Sequence, residues 1–438
     1  MALGMAVMLT TPSAGFATNG MFLIGYGAKS RAMGGVGIGY TQDAIGNQQN
    51  PAGISAVAAG VDAMRIDIGA MVLHTPRSVE IPDNRPATAG NRITFKSGAN
   101  LFLIPSMGAI YKFNRKVTMG FSFVGSGGGN TRYTKPAPNG FNFLNPVGRT
   151  DVSDTAGVSL FLAEMSMSLA YKVNKQNTIA IAPVFGVSQF RAYGLGVFKP
   201  FSTNQDRLTN NGNDYSYGAG LRFGWQVKPF KRLTLGAAYT SKIYMTEFDK
   251  YKGLFAEQGS FDVPSRYGLG LSFDVTDKLV LALDWQRTLY SDVASVNNPI
   301  ERLAKFDGFL GDTNGAGFGW EDQDIYKVGL KYLYNKEWDF MLGFNYGKGQ
   351  IPQKQLLFST LAPAVVKFHL TTGAVYRPNR NMEWTLAYVH AFDNKERGKA
   401  NSGGQFDLFY PNSKFSGPGN VALEMKQNSL ELTFSYKM

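Results

Sequence analysis

From Ser216 to Lys228 apolar and polar residues alternate one by one. Tyr217, Ala219, Leu221, Phe223, Trp225 and Val227 fall on one face of an extended chain, and Ser216, Gly218, Gly220, Arg222, Gly224 and Gln226 on the other. A period of two belongs to a strand, since a helix would scatter these residues around its circumference. The first set is rich in aromatics and unfavourable in water. The second is small or charged and unfavourable in lipid. A wall with lipid outside and a polar lumen inside suits both faces.

The same alternation predicts strands near 61–74, 101–113, 116–125, 158–172, 178–192, 215–228, 232–247, 263–274, 278–291, 324–334, 337–347, 365–377, 381–392 and 425–437, fourteen in all. Tight polar turns follow the even-numbered strands: Asn114-Arg115, Asn174-Lys175-Gln176, Pro229-Phe230-Lys231, Val275-Thr276-Asp277, Asn335-Lys336 and Pro378-Asn379-Arg380. Longer Gly-, Pro- and Asn-rich excursions follow the odd-numbered ones, among them 126–157, 193–214, 292–323 and 393–424. An even strand count with short turns at one end and long loops at the other is the pattern of an outer-membrane β-barrel. It places both chain ends on the short-turn, periplasmic side. A soluble sandwich or propeller has no reason to alternate its loop lengths in this way. The fold class expected is therefore all-β, a transmembrane antiparallel barrel.

Composition fits that reading. The barrel region holds no run of about 18–20 apolar residues, which argues against helical spans. Mean hydropathy is slightly negative, yet the chain carries 32 Phe and 21 Tyr; a barrel hides its lipophilicity in alternate residues. There are no cysteines, so neither disulfides nor thiolate metal sites arise. His74, His369 and His390 are widely scattered, and neither a metal ion nor another cofactor is expected. A net charge of +12 raises the question of nucleic acid. Many basic residues, however, sit in the tight turns or on lumen faces without a basic run or RNA-binding motif, so a charged rim and lumen are expected.

Ala2 to Leu9 is a short apolar run followed by a small-residue stretch ending at Ala17. It resembles the end of a secretory signal peptide lacking its basic n-region, and residues 1–17 are set aside as a remnant of one. Residues 18–60 are glycine-rich but carry Phe22, Ile24, Tyr26, Met33, Val36 and Ile38. A segment this small needs a surface to pack on. The lumen of a fourteen-stranded barrel, wider than the roughly eight-stranded barrels that side chains fill, supplies one. Gly268, Gly270, Gly329 and Gly343 on lumen-facing positions widen it further. Residues 18–60 are expected to form a plug, or hatch, and 61–438 the barrel.

The run Gly34-Gly35-Val36-Gly37-Ile38-Gly39-Tyr40-Thr41-Gln42-Asp43-Ala44, then Asn47-Gln48-Gln49-Asn50-Pro51-Ala52-Gly53-Ile54, resembles the N-terminal hatch of the long-chain fatty acid transporter family of Gram-negative outer membranes (FadL/TodX-like). Tyr326 to Tyr332, Trp338, Ile351-Pro352, His369 to Arg377 and Leu386 to His390 extend the resemblance over essentially the whole chain after residue 17. It implies a fourteen-stranded barrel with a hatch, matching the count above, and uptake of hydrophobic compounds: long-chain fatty acids in some members, aromatic hydrocarbons in others. It further implies capture by the extracellular loops, a pocket beside the hatch and exit through a gap in the wall. The partners implied are a hydrophobic small molecule and the lipid and lipopolysaccharide of the outer membrane, with the protein a monomer.

Three features can be set against that implied path. Asn50, Pro51 and Ala52 match the family's hatch motif; Asn bonds to nearby backbone and Pro fixes its own φ, so the motif reads as a turn holding the hatch in shape, compatible with a part in gating. Gly127, Gly128 and Gly129 end the third predicted strand, where glycine marks a bulge or close approach. The resemblance implies the lateral gap there; the other reading ends the strand at Val124. A carboxylate in an apolar pocket favours the forked donors of Arg, and Arg191, in the fifth predicted strand near where the family often places a basic residue, is by that resemblance the candidate for a ligand head group; a lumen or rim cation with no ligand is the alternative. The family's other basic contact falls where this chain reads Glu321-Asp322-Gln323-Asp324, with Gln323 at the approximate position, which leaves room for an uncharged substrate. Those acids read as a solvated loop, or as a Ca²⁺ site lacking the usual glycine-turn spacing.

Neither a Ser-His-acid arrangement nor a phosphate loop stands out, and no enzyme is expected. A general diffusion porin or an adhesin on the same barrel competes with hydrophobic uptake. A porin needs no forty-residue plug, and an adhesin would carry larger outer loops.

Overall fold

In a computed structural model of the chain, which describes residues 18–57, 60–82, 92–134, 155–398 and 421–438, one antiparallel sheet closes on itself. Its strands are β1 (Met64–His74), β2 (Arg77–Pro82), β3 (Arg92–Lys96), β4 (Leu101–Tyr111), β5 (Val117–Asn130), β6 (Gly157–Lys172), β7 (Asn177–Tyr193), β8 (Asp214–Phe230) and β9 (Leu233–Thr240). There follow β10 (Tyr244–Met245), β11 (Arg266–Asp274), β12 (Leu279–Thr288), β13 (Gln323–Leu333), β14 (Trp338–Gly347), β15 (Phe368–Tyr376), β16 (Met382–Arg397) and β17 (Ala422–Lys437). Strands β2, β3 and β10 are short rim additions. The other fourteen each pair with their sequence neighbour, and β17 pairs back onto β1 from Arg65↔Lys437 to His74↔Asn428. Closure leaves no unpaired edge running the height of the wall. The leader assigned to residues 1–17 lies outside the described residues.

Alternation decides which way each strand faces. On β14 Phe340, Leu342 and Phe344 are exposed while Asp339, Met341 and Asn345 are buried. On β8 Tyr217, Leu221, Phe223 and Trp225 are exposed, and Ser216 and Arg222 are fully buried. The outer face is thus the apolar one, as lipid requires.

Five of the six short turns use one device. The side-chain oxygens of Asn114, Asn174, Asn335 and Asn379 each accept two backbone N–H groups two and three residues ahead, at 2.7–3.0 Å, and the Thr276 hydroxyl oxygen does the same at 3.0–3.1 Å. Such turns close a hairpin without help from the rest of the chain. Chain and wall meet at this end, where Met64 N–H donates to the Met438 carbonyl at 3.1 Å.

Three departures from the predicted strands have local causes. The seventh ends at Thr240 rather than 247, because the chain bends there and Tyr244–Met245 returns to pair with Gly218 and Ala219 of β8. The sixth runs through Phe230, leaving Lys231-Arg232 as the turn. The third continues past Val124 to Asn130, with a bulge at Ser126.

Residues 18–57 lie inside the lumen. Their backbone approaches inward-facing glycines so closely that a Cβ on Gly343 would stand 2.0 Å from Gly34 N, one on Gly270 2.4 Å from Gly39 N and one on Gly108 2.5 Å from Ala44 C. Only glycine permits that contact.

Candidate functional site

Above residues 18–57 the long loops fold together over the barrel mouth and enclose an apolar cavity. It has about 790 Å³ of empty space, open solvent at its mouth included. Phe190, Phe198, Phe255, Phe261, Trp320 and Phe358 supply much of its wall, with Phe190 and Phe255 centred 4.6 Å apart and Phe255 and Phe261 4.9 Å apart. Among the described residues lining it, Ser295 carries the one hydroxyl and none is charged; that hydroxyl donates to the Ser260 carbonyl at 2.6 Å. Such a space gives an apolar molecule its full transfer free energy, about 0.8 kcal/mol per buried methylene, and offers a polar one nothing.

The wall beside this cavity is broken. β4 and β5 pair from Tyr111↔Met119 up to Ser106↔Val124 and no further. Above that register Leu101–Pro105 keep their partners in β1, and Gly125–Asn130 keep theirs in β6, but the two stretches no longer meet. Ser126 is bulged out of the β5–β6 ladder, and Gly128 has φ +145°, a conformation that favours glycine. The edge of β5 that β4 abandons is taken by the N-terminal segment: Leu23 N–H donates to Ser126 O at 3.3 Å and Gly128 N–H to Met21 O at 2.9 Å. Higher up the gap closes again, where Gly98 N–H donates to Arg132 O at 2.7 Å. Gly128 and Gly129 line the apolar cavity, and the next residue, Asn130, lines a second, more polar cavity that also reaches Leu101 and Phe102.

Residues 18–57 are held below the cavity by aimed polar groups. The Asp284 carboxylate accepts from Gly37, Ile38 and Gly39 N–H at 2.7, 2.9 and 3.2 Å. Asp67 accepts from Ala44 N–H at 2.7 Å. Glu164 takes Gln48 Nε2 at 2.7 Å, Arg222 at 2.9 Å and Arg266 at 2.8 Å, while Arg266 also lies over the Phe22 ring, 4.2 Å from its centre. Arg31 pairs with Glu431 and Lys29 with Glu383. Burial pushes the Asp43 carboxyl above its ordinary range, with Asp67 adding to the rise, and pushes the Lys29 ammonium below its own, with Arg65 adding to the fall.

The sequence matches the model of a family described as outer membrane protein transport protein (OMPP1/FadL/TodX) over residues 4–423. The chain belongs to this family. Its members are outer-membrane β-barrels that transport hydrophobic compounds. Among solved structures, the Pseudomonas putida toluene transporter TodX is similar with a TM-score of 0.69 at 17% identity, covering 95% of this chain and 99% of its own. A Pseudomonas aeruginosa FadL homologue gives 0.63 at 15%, with 95% and 99% covered, and the Ralstonia pickettii toluene transporter TbuX gives 0.61 at 16%, with 94% and 98% covered. At these identities the likeness is one of fold. No curated protein matches the sequence.

In this member of the FadL/TodX family the residues singled out from sequence fall in different places. Asn50 caps the short 3-10 turn Pro51–Gly53: its Oδ1 accepts from Ala52 N–H at 3.1 Å, and its Nδ2 donates to Ile38 O at 2.7 Å and to Trp225 O at 3.1 Å. Gly127, Gly128 and Gly129 lie in the part of β5 that β4 leaves, not beyond the strand's end. Arg191 is not a lumen residue. Phe190 and Ala192 take the inward positions of β7, so Arg191 is exposed on the other face, with its guanidinium 5.7 Å from the Tyr193 ring centre, and lines the polar cavity and not the apolar one. Gln323 is buried at the start of β13, donating to Lys348 O and Gln350 Oε1. Asp322 and Asp324 pair with Arg287 at 3.4 and 3.0 Å, and no metal-holding group of acids occurs among the described residues.

What sequence reasoning missed are the groups that act from far away in the chain. Asp284 and Glu164 each read as one polar residue among alternating neighbours. Nothing local tells which lumen-facing acid will meet the N-terminal segment, more than a hundred residues distant.

Proposed function

We propose that this protein takes long-chain fatty acids into the apolar cavity from the side of the long loops and passes them sideways through the break between β4 and β5. The observation that carries the reading is continuity: Gly128 and Gly129 line the cavity and also belong to the stretch of β5 that β4 leaves unpaired. A ligand in the cavity therefore lies against the weakest part of the wall. Residues 18–60 act as a hatch that closes the lumen to water and ions, with Asn50-Pro51-Ala52 keeping its shape, and 61–438 form the channel. The long loops face outward and both chain ends face the periplasm, in keeping with the short periplasmic turns and longer extracellular loops of outer-membrane barrels. The protein acts as a monomer within outer-membrane lipid.

A second reading keeps the path and changes the cargo. The cavity holds no charged side chain among its described lining residues, and structures of toluene transporters are similar in fold; both favour an uncharged aromatic hydrocarbon. Uptake of labelled oleate, with labelled toluene alongside, in Gram-negative cells lacking their own transporter separates the two. Oleate uptake above the empty-vector rate supports the first reading. Toluene uptake without oleate replaces it with the second, and uptake of neither by correctly assembled barrel overturns both in favour of a porin.

A further inference from the structure

Buried arginines in this barrel come with acids. Arg31 pairs with Glu431, Arg65 with Asp67 and Glu383, and Arg222 and Arg266 with Glu164. Arg77 departs from that rule. It lies on the same buried face of β2 as Val79 and Ile81, is 3% exposed, and uses only Nε, which donates to Thr75 O at 3.3 Å. Both Nη atoms are buried without a hydrogen-bond partner, and among the described residues no carboxylate pairs with it. A guanidinium out of water with two donor nitrogens idle is strongly unfavourable. An anion arriving from outside the chain would remove that penalty.

Its surroundings say where such an anion would come from. The Arg77 guanidinium lies over the Phe102 ring, 5.8 Å from its centre, and Phe102 belongs to the stretch of β4 that has lost β5. Phe102 packs in an apolar cluster with Leu73, Ile104 and Val124, which reaches down to Leu23 of the N-terminal segment. A cavity with about 560 Å³ of empty space, open solvent included, adjoins this stretch of β2, and Arg77, Lys96, Lys426, Asp393 and Glu424 are among its lining residues. Lys96 and Glu424 share the face of Ser78, opposite to the one on which the Arg77 side chain is buried. A cation and an apolar strip thus stand together at the edge of the break.

We propose that Arg77 binds the carboxylate of the fatty acid as it leaves, with the forked guanidinium taking the head group and the tail lying along Phe102. This rests on the fatty-acid reading above and makes Arg77 a specificity-determining residue for it. The site separates an acid from an uncharged hydrocarbon after the cavity, which recognises only apolar surface.

The test is calorimetric titration of the intact purified protein in detergent with oleate and with methyl oleate, for wild type, Arg77→Met and Arg77→Lys, and with inorganic phosphate as a third probe. Wild type is expected to favour oleate over its ester by about tenfold or more, the worth of a charge-assisted hydrogen bond. Arg77→Met is expected to erase the preference by weakening oleate toward its ester, with unchanged circular dichroism and denaturant unfolding showing that the variant is folded, and Arg77→Lys to retain part of it. An unaltered preference in Arg77→Met overturns the proposal. So does loss of phosphate binding in that variant with the oleate preference intact, which would assign Arg77 to a lipid phosphate. Wild type binding neither oleate nor its ester would instead overturn the fatty-acid reading on which the proposal stands.

Discussion

Asp284 holds three successive backbone N–H groups of the N-terminal segment, and it does so from a strand whose other inward positions carry nothing comparable toward Gly37–Gly39. Replacing it with Leu removes the acceptor from three buried donors, each worth about 1–3 kcal/mol when left unsatisfied. The expected result is faster hydrogen exchange at Gly37–Gly39 with the β-strand amides unchanged; equal protection in the variant would mean that the contact is incidental. The cavity is tested by charge. Phe318→Asp places a carboxylate among its apolar lining, where burial of an unpaired charge is strongly unfavourable, and should weaken apolar ligand binding at least tenfold in a fluorescence competition assay. The glycines illustrate what the chain declares and what it conceals. Gly268, Gly270, Gly329 and Gly343 read from sequence as lumen-facing and widening, and the facing is right. Their use is closer contact: Met33, Gly34, Ile38 and Gly39 fill the space a side chain would take. Small residues in a lumen advertise room, whereas the partner that takes the room comes from elsewhere in the chain.

At the scale of elements, β5 carries the argument. Its lower half pairs on both sides like any stave, and its upper half trades β4 for Met21–Leu23. A Cβ on Gly127 would stand 2.3 Å from Met21 O, so Gly127→Leu is expected to expel that segment from the β5 edge, seen as loss of exchange protection at Leu23 and Gly128 with β6 unaffected. The fourteen staves were legible because each crosses the wall with strict alternation, and their ends because Asn or Thr at the short turns closes five of six hairpins locally. Asn335→Ala tests that device; losing two bonds at an exposed turn should lower stability by about 1 kcal/mol, measured by denaturant unfolding in detergent, without altering transport. The hairpin of β2 and β3 was not legible. Six and five residues flanked by Pro76 and Pro82 give too short a pattern to separate a rim hairpin from a loop. Arg77 was hidden with it.

At the scale of the whole molecule, residues 18–57 occupy the lumen that the barrel encloses. With residues 18–57 seated, the lumen is crossed by ion pairs and by backbone packed against glycine, and the protein in a planar bilayer should pass little current. A variant lacking residues 18–57 should show a large, steady conductance; a large conductance from the intact protein would contradict the hatch. The fold class was readable from the chain because strand period and loop alternation are local signals, and the family from the hatch and strand motifs, whereas the glycine run alone left open whether the third strand ended at Val124 or ran on through Gly127–Gly129. Nor was the direction of Arg191 readable, since a one-residue difference in register exchanges the two faces of a strand. The central claim is the sideways path, and Gly129 tests it most directly. A Cβ there would meet only Ala362 Cβ, at 3.7 Å, so the backbone accepts a side chain at this position, and Gly129→Leu puts its bulk where the cavity meets the stretch of β5 that β4 leaves. Labelled oleate uptake should fall at least tenfold in cells expressing Gly129→Leu, with wild-type amounts of folded barrel in the membrane. Uptake at the wild-type rate would contradict a path between β4 and β5 and send the ligand through the lumen instead.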